Sequence, residues 1–268
     1  MISSLFNTLF YQPMYNGLIF LISVVIPWAD IGVAIIVFTL IIKLALLPLS
    51  LKAVKTQLKL KEVEPEVKKI KEKYKNDKQK QTMEMMNLYK EREIKPFSGF
   101  LPLLIQLPII IAMYFVFLKG GLPDIQADFL YSFVPKPEHI DIMFLGLVNV
   151  TEKSLVVSIF AGLSQFVLAL IISRKKDKNA DINKKPSFKD ELAKSFGMQM
   201  KYVFPFVVFF IAYKLSAAIA IYWTASNLFQ ILQELYVRKK TKADEKDNLE
   251  ARSSNDDRRK RTKIYPVK

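Results

Sequence analysis

Cysteine is absent from the 268-residue sequence, and histidine occurs once, at His139. The absence of cysteine excludes disulfides, thiolate metal sites and a lipid-modified cysteine. The single histidine argues against a histidine-centred site. Acidic residues are missing from the interiors of the long apolar segments, so these segments hold no pair of carboxylates for acid–base chemistry. We therefore expect no enzyme activity and no cofactor.

Apolar residues are abundant and are sorted into blocks, since 51% of the chain is hydrophobic and 24% is still charged. A helix of ~20 apolar residues spans the ~30 Å core of a bilayer. The last block is too long for one span, and Lys214 and Ser216 interrupt it, which predicts two spans joined by a minimal turn. The chain is thus expected to be an all-α polytopic membrane protein with five transmembrane helices. The apolar blocks are residues 31–51, 97–117, 155–173 and 202–237.

Lysine and arginine are distributed unevenly between the connecting segments. Residues 52–96, 174–201 and 238–268 hold 14, 9 and 12 of them, whereas residues 1–30 hold none and residues 118–154 hold three. Because cytoplasmic loops carry the excess of positive residues, we expect an outer N-terminus and a cytoplasmic C-terminus in the plasma membrane. The net charge of +15 would then face anionic lipids or another polyanion in the cytoplasm.

The first 28 residues are apolar but contain Pro13 and Pro27 and lack the basic start of a cleavable signal peptide. We expect an interfacial helix on the outer surface, which carries Leu5, Phe6, Leu9, Phe10 and Tyr11. The expected division of the chain is an extracytoplasmic interfacial segment at 1–29, spans at 30–51, 97–118, 154–173, 198–215 and 216–237, a cytoplasmic helical hairpin at 52–96, an extracytoplasmic loop at 119–153, a cytoplasmic loop at 174–197 and a tail at 238–268.

A charged segment with a narrow apolar stripe follows the first span and predicts the helical hairpin. Asn76 and Asp77 give a turn signal between the two arms, and Pro65 predicts a bend or restart in the first. Met83, Met86 and Tyr89 form the stripe of the second arm. Because methionine adapts to irregular surfaces, these three side chains are candidates for contact with a partner, with a solvated spacer as the alternative. The stripe of the first arm is Leu51, Val54, Leu58, Val63, Val67, Ile70 and Tyr74.

Residues 238–268 hold 12 basic and six acidic residues with almost no large apolar side chains. Such a composition predicts a disordered tail. Its basic cluster would contact ribosomal RNA or acidic lipid by counterion release, or would act only as a positive-inside anchor. The cluster consists of Arg258, Arg259, Lys260, Arg261 and Lys263.

One charge lies inside an apolar block: Lys43, 12 residues after Ile31 and eight before Leu51. A lysine at mid-bilayer costs roughly 2.5 to 3.5 kcal/mol and usually faces a protein interior or a water-filled cavity. Snorkelling toward the cytoplasmic head groups is the alternative. The one acid in the spans, Glu234, is predicted near the end of the last helix, so we expect water to solvate Lys43. Other polar residues of the spans could line the same cavity, although such residues more often form hydrogen bonds between helices. They are Thr39, Gln106, Gln165, Ser226 and Asn227.

A wet cavity around Lys43 would admit a hydrophilic segment of another protein into the membrane. An acidic side chain 4 Å from the ammonium gains ~4 kcal/mol at an effective dielectric near 20, which is enough to bind and weak enough to release. A small-molecule transporter or channel is the competing class. Transporters tend to have repeated halves and midplane acids, whereas five spans cannot be halved and no midplane acid exists.

Several motifs are similar to a known family. Lys43 lies five residues before Pro48 in a first span, residues 84–90 read EMMNLYK, residues 102–108 read PLLIQLP, and Tyr222-Trp223 precedes Ser226-Asn227-Leu228. With these motifs, the chain resembles the YidC/Oxa/Alb membrane protein insertases over nearly its full length, in a minimal form without a large outer domain. Lys43 stands where the family usually has arginine.

The resemblance implies a hydrophilic groove within five helices, with client proteins contacting the second and fifth spans. Clients would meet Thr39 and Tyr222 or Trp223 there, and they would carry acidic outer segments. The sequence leaves open whether the Sec translocon or the ribosome takes part. The full candidate groove is Lys43, Thr39, Gln106, Gln165, Tyr222, Trp223, Ser226 and Asn227.

Overall fold

The computed structural model describes residues 4–95, 101–119, 125–173 and 198–264, and most of these residues are helical. Two short strands, β1 Met143–Phe144 and β2 Val148–Asn149, form an antiparallel hairpin. The helices are α1 Ser4–Val25, α2 Ile31–Ala45, α3 Leu47–Glu62, α4 Glu64–Lys73, α5 Lys78–Glu91, α6 Leu101–Lys119, α7 Leu155–Ser173, α8 Phe204–Lys214 and α9 Ala217–Ile264, with a π-helical turn at Gln199–Val203 before α8. The expected loop at 174–197 lies outside the described residues.

Several helices are apolar enough for a membrane. By length and composition, α1 and the Leu155–Ile172 part of α7 can each cross a bilayer, and α2 with Leu47–Leu60 adds a third span if this pair, bent by 65°, is counted as one. Helix α6 contributes a shorter apolar stretch, Leu104–Phe117. The fold is that of an all-α membrane protein, while the expected number of five spans stays a prediction.

The first expected span, at 30–51, contains a helix break near its C-terminal end. Helix α2 ends at Ala45, and Pro48 lies in the first turn of α3, which leaves α2 at 65°. Proline lacks an N–H and clashes with the preceding turn, so a helix bends or restarts there. Lys43 therefore lies in the last turn of α2.

Helix α1 contributes buried side chains to the main core. Leu5 and Leu9 are exposed, but Tyr11 is buried, and Tyr15 and Leu18 are fully buried in the main core. A side chain at Gly17 would place its Cβ 2.6 Å from the ring of Phe38 on α2, so glycine allows the two helices to approach closely. The part of α1 that follows Phe10 is thus packed against the protein core, and its place at the outer membrane surface stays a prediction.

The connection between α6 and α7, described from residue 125 to 154, forms hydrogen bonds with three helices. The Asn16 side-chain amide donates to the Phe129 carbonyl at 2.8 Å and accepts from the Tyr131 N–H at 2.6 Å. The Asp30 carboxylate caps α2 through the Val33 N–H and also accepts from the β-hairpin. The Ala217 N–H at the start of α9 donates to the Glu152 carbonyl at 2.7 Å. This end of the bundle is therefore fixed by hydrogen bonds from polar side chains and the backbone.

The last two apolar helices are joined as predicted. Helix α8 ends at Lys214 and α9 begins at Ala217, with only Leu215 and Ser216 between them. Fully buried alanines on α7, α8 and α9 let these helices pack closely: Ala161, Ala212, Ala217, Ala218 and Ala220.

Helix α9 continues without a break to Ile264, so the structure shows helix at 238–264, where the sequence predicts a disordered tail. Lysine, arginine, glutamate and alanine favour helix, and elongating an existing helix avoids the cost of nucleation. The side chains of the basic cluster at 258–263 lie outside the described residues.

The helical hairpin forms as predicted between α3–α4 and α5. Pro65 lies in the first turn of α4, where the missing N–H is harmless, and the Asp77 carboxylate caps α5 by accepting from the Lys80 N–H at 2.9 Å. An ion pair of Arg92 with Glu66 at 2.7 Å joins the two arms. The buried seam consists of Val63, Val67, Leu88 and Ile94, with Leu60, Ile70, Met85 and Tyr89 packed against it.

The methionine stripe of α5 is out of phase with the expectation. Met83 and Met86 are 55% and 43% exposed, and Met85 faces the seam instead. Tyr89 contacts the seam as predicted. Met83 and Met86 are thus accessible side chains, and their contact with a partner stays a prediction.

The seam assignment predicts a clear difference between two neighbouring substitutions. Leu88→Ala should destabilise the hairpin by about 2 kcal/mol because it leaves a cavity, whereas Met86→Ala, on the exposed face, should change its stability by less than ~0.5 kcal/mol. Amide hydrogen exchange of the full chain in detergent would measure this as an about 30-fold loss of protection in residues 63–94 for Leu88→Ala alone. Equal effects of both substitutions would contradict the seam.

Candidate functional site

Lys43 is buried in the protein interior, with 8% of its surface exposed. Its Nζ donates to Oε1 of Gln106 on α6 at 2.9 Å. The described partner of the Lys43 ammonium is therefore a neutral amide on a neighbouring helix. An ammonium has three donors, so two remain for another partner.

Gln106 connects Lys43 to the last helix. Its Nε2 donates to the hydroxyl of Tyr222 at 2.6 Å, and Tyr222 is 2% exposed. A chain of two hydrogen bonds thus joins α2, α6 and α9 through three of the side chains that the sequence singled out. Buried polar groups are costly when they are unpaired, so this network specifies one arrangement of the three helices.

A cavity of about 120 Å³ adjoins the network and has room for several water molecules. It is lined on one side by α2 and α3 and on the other by α6, α7 and α9. Ser50 on α3 and Gln233 on α9 contact each other across it, with 3.0 Å between Oγ and Oε1. Its polar lining is Lys43, Ser50, Gln57, Gln106, Gln230, Gln233 and Glu234.

The cavity also contains a carboxylate, on Glu234. Glu234 is 5% exposed and pairs with Arg238 one turn further along α9, with Oε1 2.7 Å from both Nε and Nη2. The cavity is therefore not purely cationic, because an ammonium and a carboxylate both line it. A buried charge without a partner is strongly unfavourable, which accounts for the pairing within the helix.

The other predicted groove residues lie outside this cavity. The Thr39 hydroxyl donates to the Ile35 carbonyl at 2.6 Å within its own helix. The Asn227 amide donates to Ser164 on α7 at 3.0 Å, so it joins two helices. Trp223 is half-buried against the apolar core. Gln165 is half-buried on α7, and Ser226 is buried on α9.

Sequence reasoning missed Ser50, Gln57, Gln230 and Gln233, and it set Glu234 apart from Lys43. A signal was available, because Gln230, Gln233 and Glu234 recur at three and four residues and so share one face of a helix. Among the described residues, no group of three or more His, Asp or Glu could hold a metal ion.

A mostly helical fold with several helices apolar enough for a bilayer defines the class, which is a multi-pass membrane protein. The chain belongs to the 60Kd inner membrane protein family, whose family model matches residues 22–246.

Curated relatives agree with this assignment. The chain is 34% identical over 213 residues to a protein named membrane protein insertase YidC from Clostridium tetani, which covers 80% of this chain and 84% of the relative. It is 30% identical over 213 residues to the protein of that name from Fusobacterium nucleatum, over 79% and 87% of the two chains. The protein of that name from Clostridium perfringens is 28% identical over 239 residues, over 88% and 89%.

Proposed function

We propose that this protein is a membrane protein insertase, which receives client segments in the Lys43 cavity and releases them into lipid. The observation that carries the proposal is a lysine that is 8% exposed beside a polar cavity within an apolar helical fold. The insertase names of the relatives support it. None of them supports the competing transporter class.

The short helix α2 supports a site of this kind. Helix α2 has 15 residues and is thus about 22 Å long, which is less than the ~30 Å of a bilayer core. A client segment that enters beside it has a shorter apolar distance to cross than in undisturbed lipid. Water in the cavity would lower the desolvation cost of polar groups further.

In the proposed mechanism, a client carboxylate binds the free donors of Lys43, and Gln106 holds the ammonium in place. The pair gains ~4 kcal/mol at 4 Å and an effective dielectric near 20, so it is reversible. The apolar part of the client then moves along α6 and α9 into the bilayer. Exposed apolar side chains on these helices include Leu104, Leu107, Leu228 and Leu232.

The proposed topology has five spans, with the N-terminus outside and the basic segments in the cytoplasm. The distribution of lysine and arginine supports this orientation. The helical C-terminal segment would then extend into the cytoplasm, where its basic cluster at 258–263 would bind ribosomal RNA or anionic lipid. Met83 and Met86 on the hairpin would contact a partner such as the Sec translocon.

The proposal is tested by reconstituting the protein into liposomes with a freshly synthesised single-span client that has an acidic N-terminal tail. We expect the tail to be protected from added protease more than in empty liposomes. A client with asparagine in place of the tail aspartates is the matched control and should be protected less. Equal protection with and without the protein would contradict insertion by the isolated chain.

A further inference from the structure

We propose that Glu234 is a second client-binding residue, which holds a basic side chain of the client at the cytoplasmic mouth of the cavity while Lys43 holds an acidic one. This inference rests on the proposed insertase function and names the chemistry of the segment that the cavity accepts. Lys43 and Glu234 line the same cavity, and both are more than nine-tenths buried.

The carboxylate of Glu234 has capacity for another partner. Both contacts with Arg238 fall on Oε1. Within the described residues, Oε2 therefore remains available to a donor in the cavity. A carboxylate accepts several hydrogen bonds at once, so a client lysine or arginine can bind without first displacing Arg238.

The arrangement of the two charges gives the cavity a direction. Tyr222, which Lys43 reaches through Gln106, and Glu234 are 12 residues apart on α9, or about 18 Å along its axis. In the proposed topology, Glu234 lies nearer the cytoplasm. A client with an acid on its outer side and a base about three helical turns toward the cytoplasm therefore matches both sites. The reverse order places like charges together, which is unfavourable.

Neutral polar side chains fill the interval between the two charges. Ser50 and Gln233 contact each other across the cavity, and Gln57 and Gln230 complete the lining. These groups can satisfy the polar backbone of a client segment without favouring either charge. The choice of orientation is thus left to Lys43 and Glu234, and the cavity retains the basic flank of a client on the cytoplasmic side.

The test compares two clients in the same liposomes, both with an aspartate in the outer tail. One carries lysine and the other glutamine about three helical turns from the aspartate toward the cytoplasm. The readout is the ratio of their protease protection. For the unaltered protein we expect the lysine client to be favoured about fivefold, equivalent to about 1 kcal/mol. Glu234→Gln should bring the ratio to about one. Glu234→Lys should bring the ratio below one, because the new lysine repels the lysine of the client.

Two further variants keep the result interpretable. Glu234→Gln/Arg238→Gln removes both partners of the ion pair, so no unpaired guanidinium is left buried, and it should also give a ratio near one. Glu62→Gln, at an exposed acid of the hairpin outside the cavity, should keep the ratio of the unaltered protein. A ratio near one in the unaltered protein, or a ratio that Glu234→Gln does not change, overturns the inference and leaves the insertase function intact. If neither client is inserted above empty liposomes, the function itself fails and this inference falls with it.

Discussion

Replacing Lys43 by glutamate is expected to abolish insertion of clients with acidic outer tails, while arginine should retain most of it. The lysine is buried beside the cavity, and its hydrogen-bond partner among the described residues is a neutral amide, so its charge is available to a client. Glutamate reverses the sign of the interaction and repels the client acid. Lys43→Ala removes the attraction without adding repulsion and should lower insertion at least about tenfold, which is what loss of one charged hydrogen bond gives.

Protease protection of the acidic client in liposomes measures this series, with the amount of folded variant determined for each sample. Lys214→Glu is the matched control, because it makes the same change of charge at an exposed lysine at the end of α8, outside the cavity. It should insert the client as the unaltered protein does. Normal insertion by Lys43→Glu would show that the charge at this position does not bind clients.

Lys43→Arg tests whether arginine, which the resemblance leads us to expect at this position, can replace the lysine. Arginine binds a carboxylate through a planar fork with two parallel hydrogen bonds, whereas lysine offers a point charge on a flexible stem. Lys43 also donates to Gln106, and a guanidinium of different length would have to re-form that contact. Retained activity with arginine would therefore identify charge rather than shape as the feature that the cavity needs.

The sequence was sufficient to predict Lys43 and Gln106 as residues of the candidate site, but it missed the polar residues that line the cavity from α3 and α9. Lys43 stood out because a charge in an apolar block needs an explanation, and the PLLIQLP string drew attention to Gln106. Glu234 was set apart from Lys43 because the first span was expected to continue to Leu51. Once α2 ends at Ala45, Lys43 lies in the last turn of its helix, and it lines the same cavity as Glu234. A helix break after residue 45 thus helps to decide which charged residues line one cavity.

Local signals predicted turns better than they predicted which face of a helix is buried. The turn at Asn76 and Asp77 and the short connection at Leu215 and Ser216 follow from residues that act on the backbone next to them. The buried face of α5 depends on how α4 packs against it, and Met83, Met85 and Met86 are chemically the same in the sequence. The structure selects Met85 because it shares a face with Leu88 and Tyr89.

Gln106→Glu is expected to reduce insertion at least about tenfold while preserving the fold. In the unaltered protein, Gln106 Oε1 accepts from Lys43 at 2.9 Å. A glutamate of the same shape would place a carboxylate at that position and form an internal ion pair with the ammonium. Because the pair is intramolecular, its effective concentration exceeds that of any client, and the client acid would have to displace it. The Tyr222 hydroxyl can turn to donate to the new carboxylate, so the network would stay satisfied.

Thermal unfolding in detergent and protease protection of the acidic client together distinguish this block from misfolding. We expect the unfolding temperature of Gln106→Glu to be no lower than that of the unaltered protein, with insertion lost. Gln79→Glu, the same substitution at an exposed position on α5, should leave both quantities unchanged. Gln106→Leu should lower the unfolding temperature, since it leaves the buried ammonium and hydroxyl without their partner. Full insertion by a folded Gln106→Glu variant would mean that client acids do not bind Lys43, because a tethered carboxylate would then occupy that position without competing.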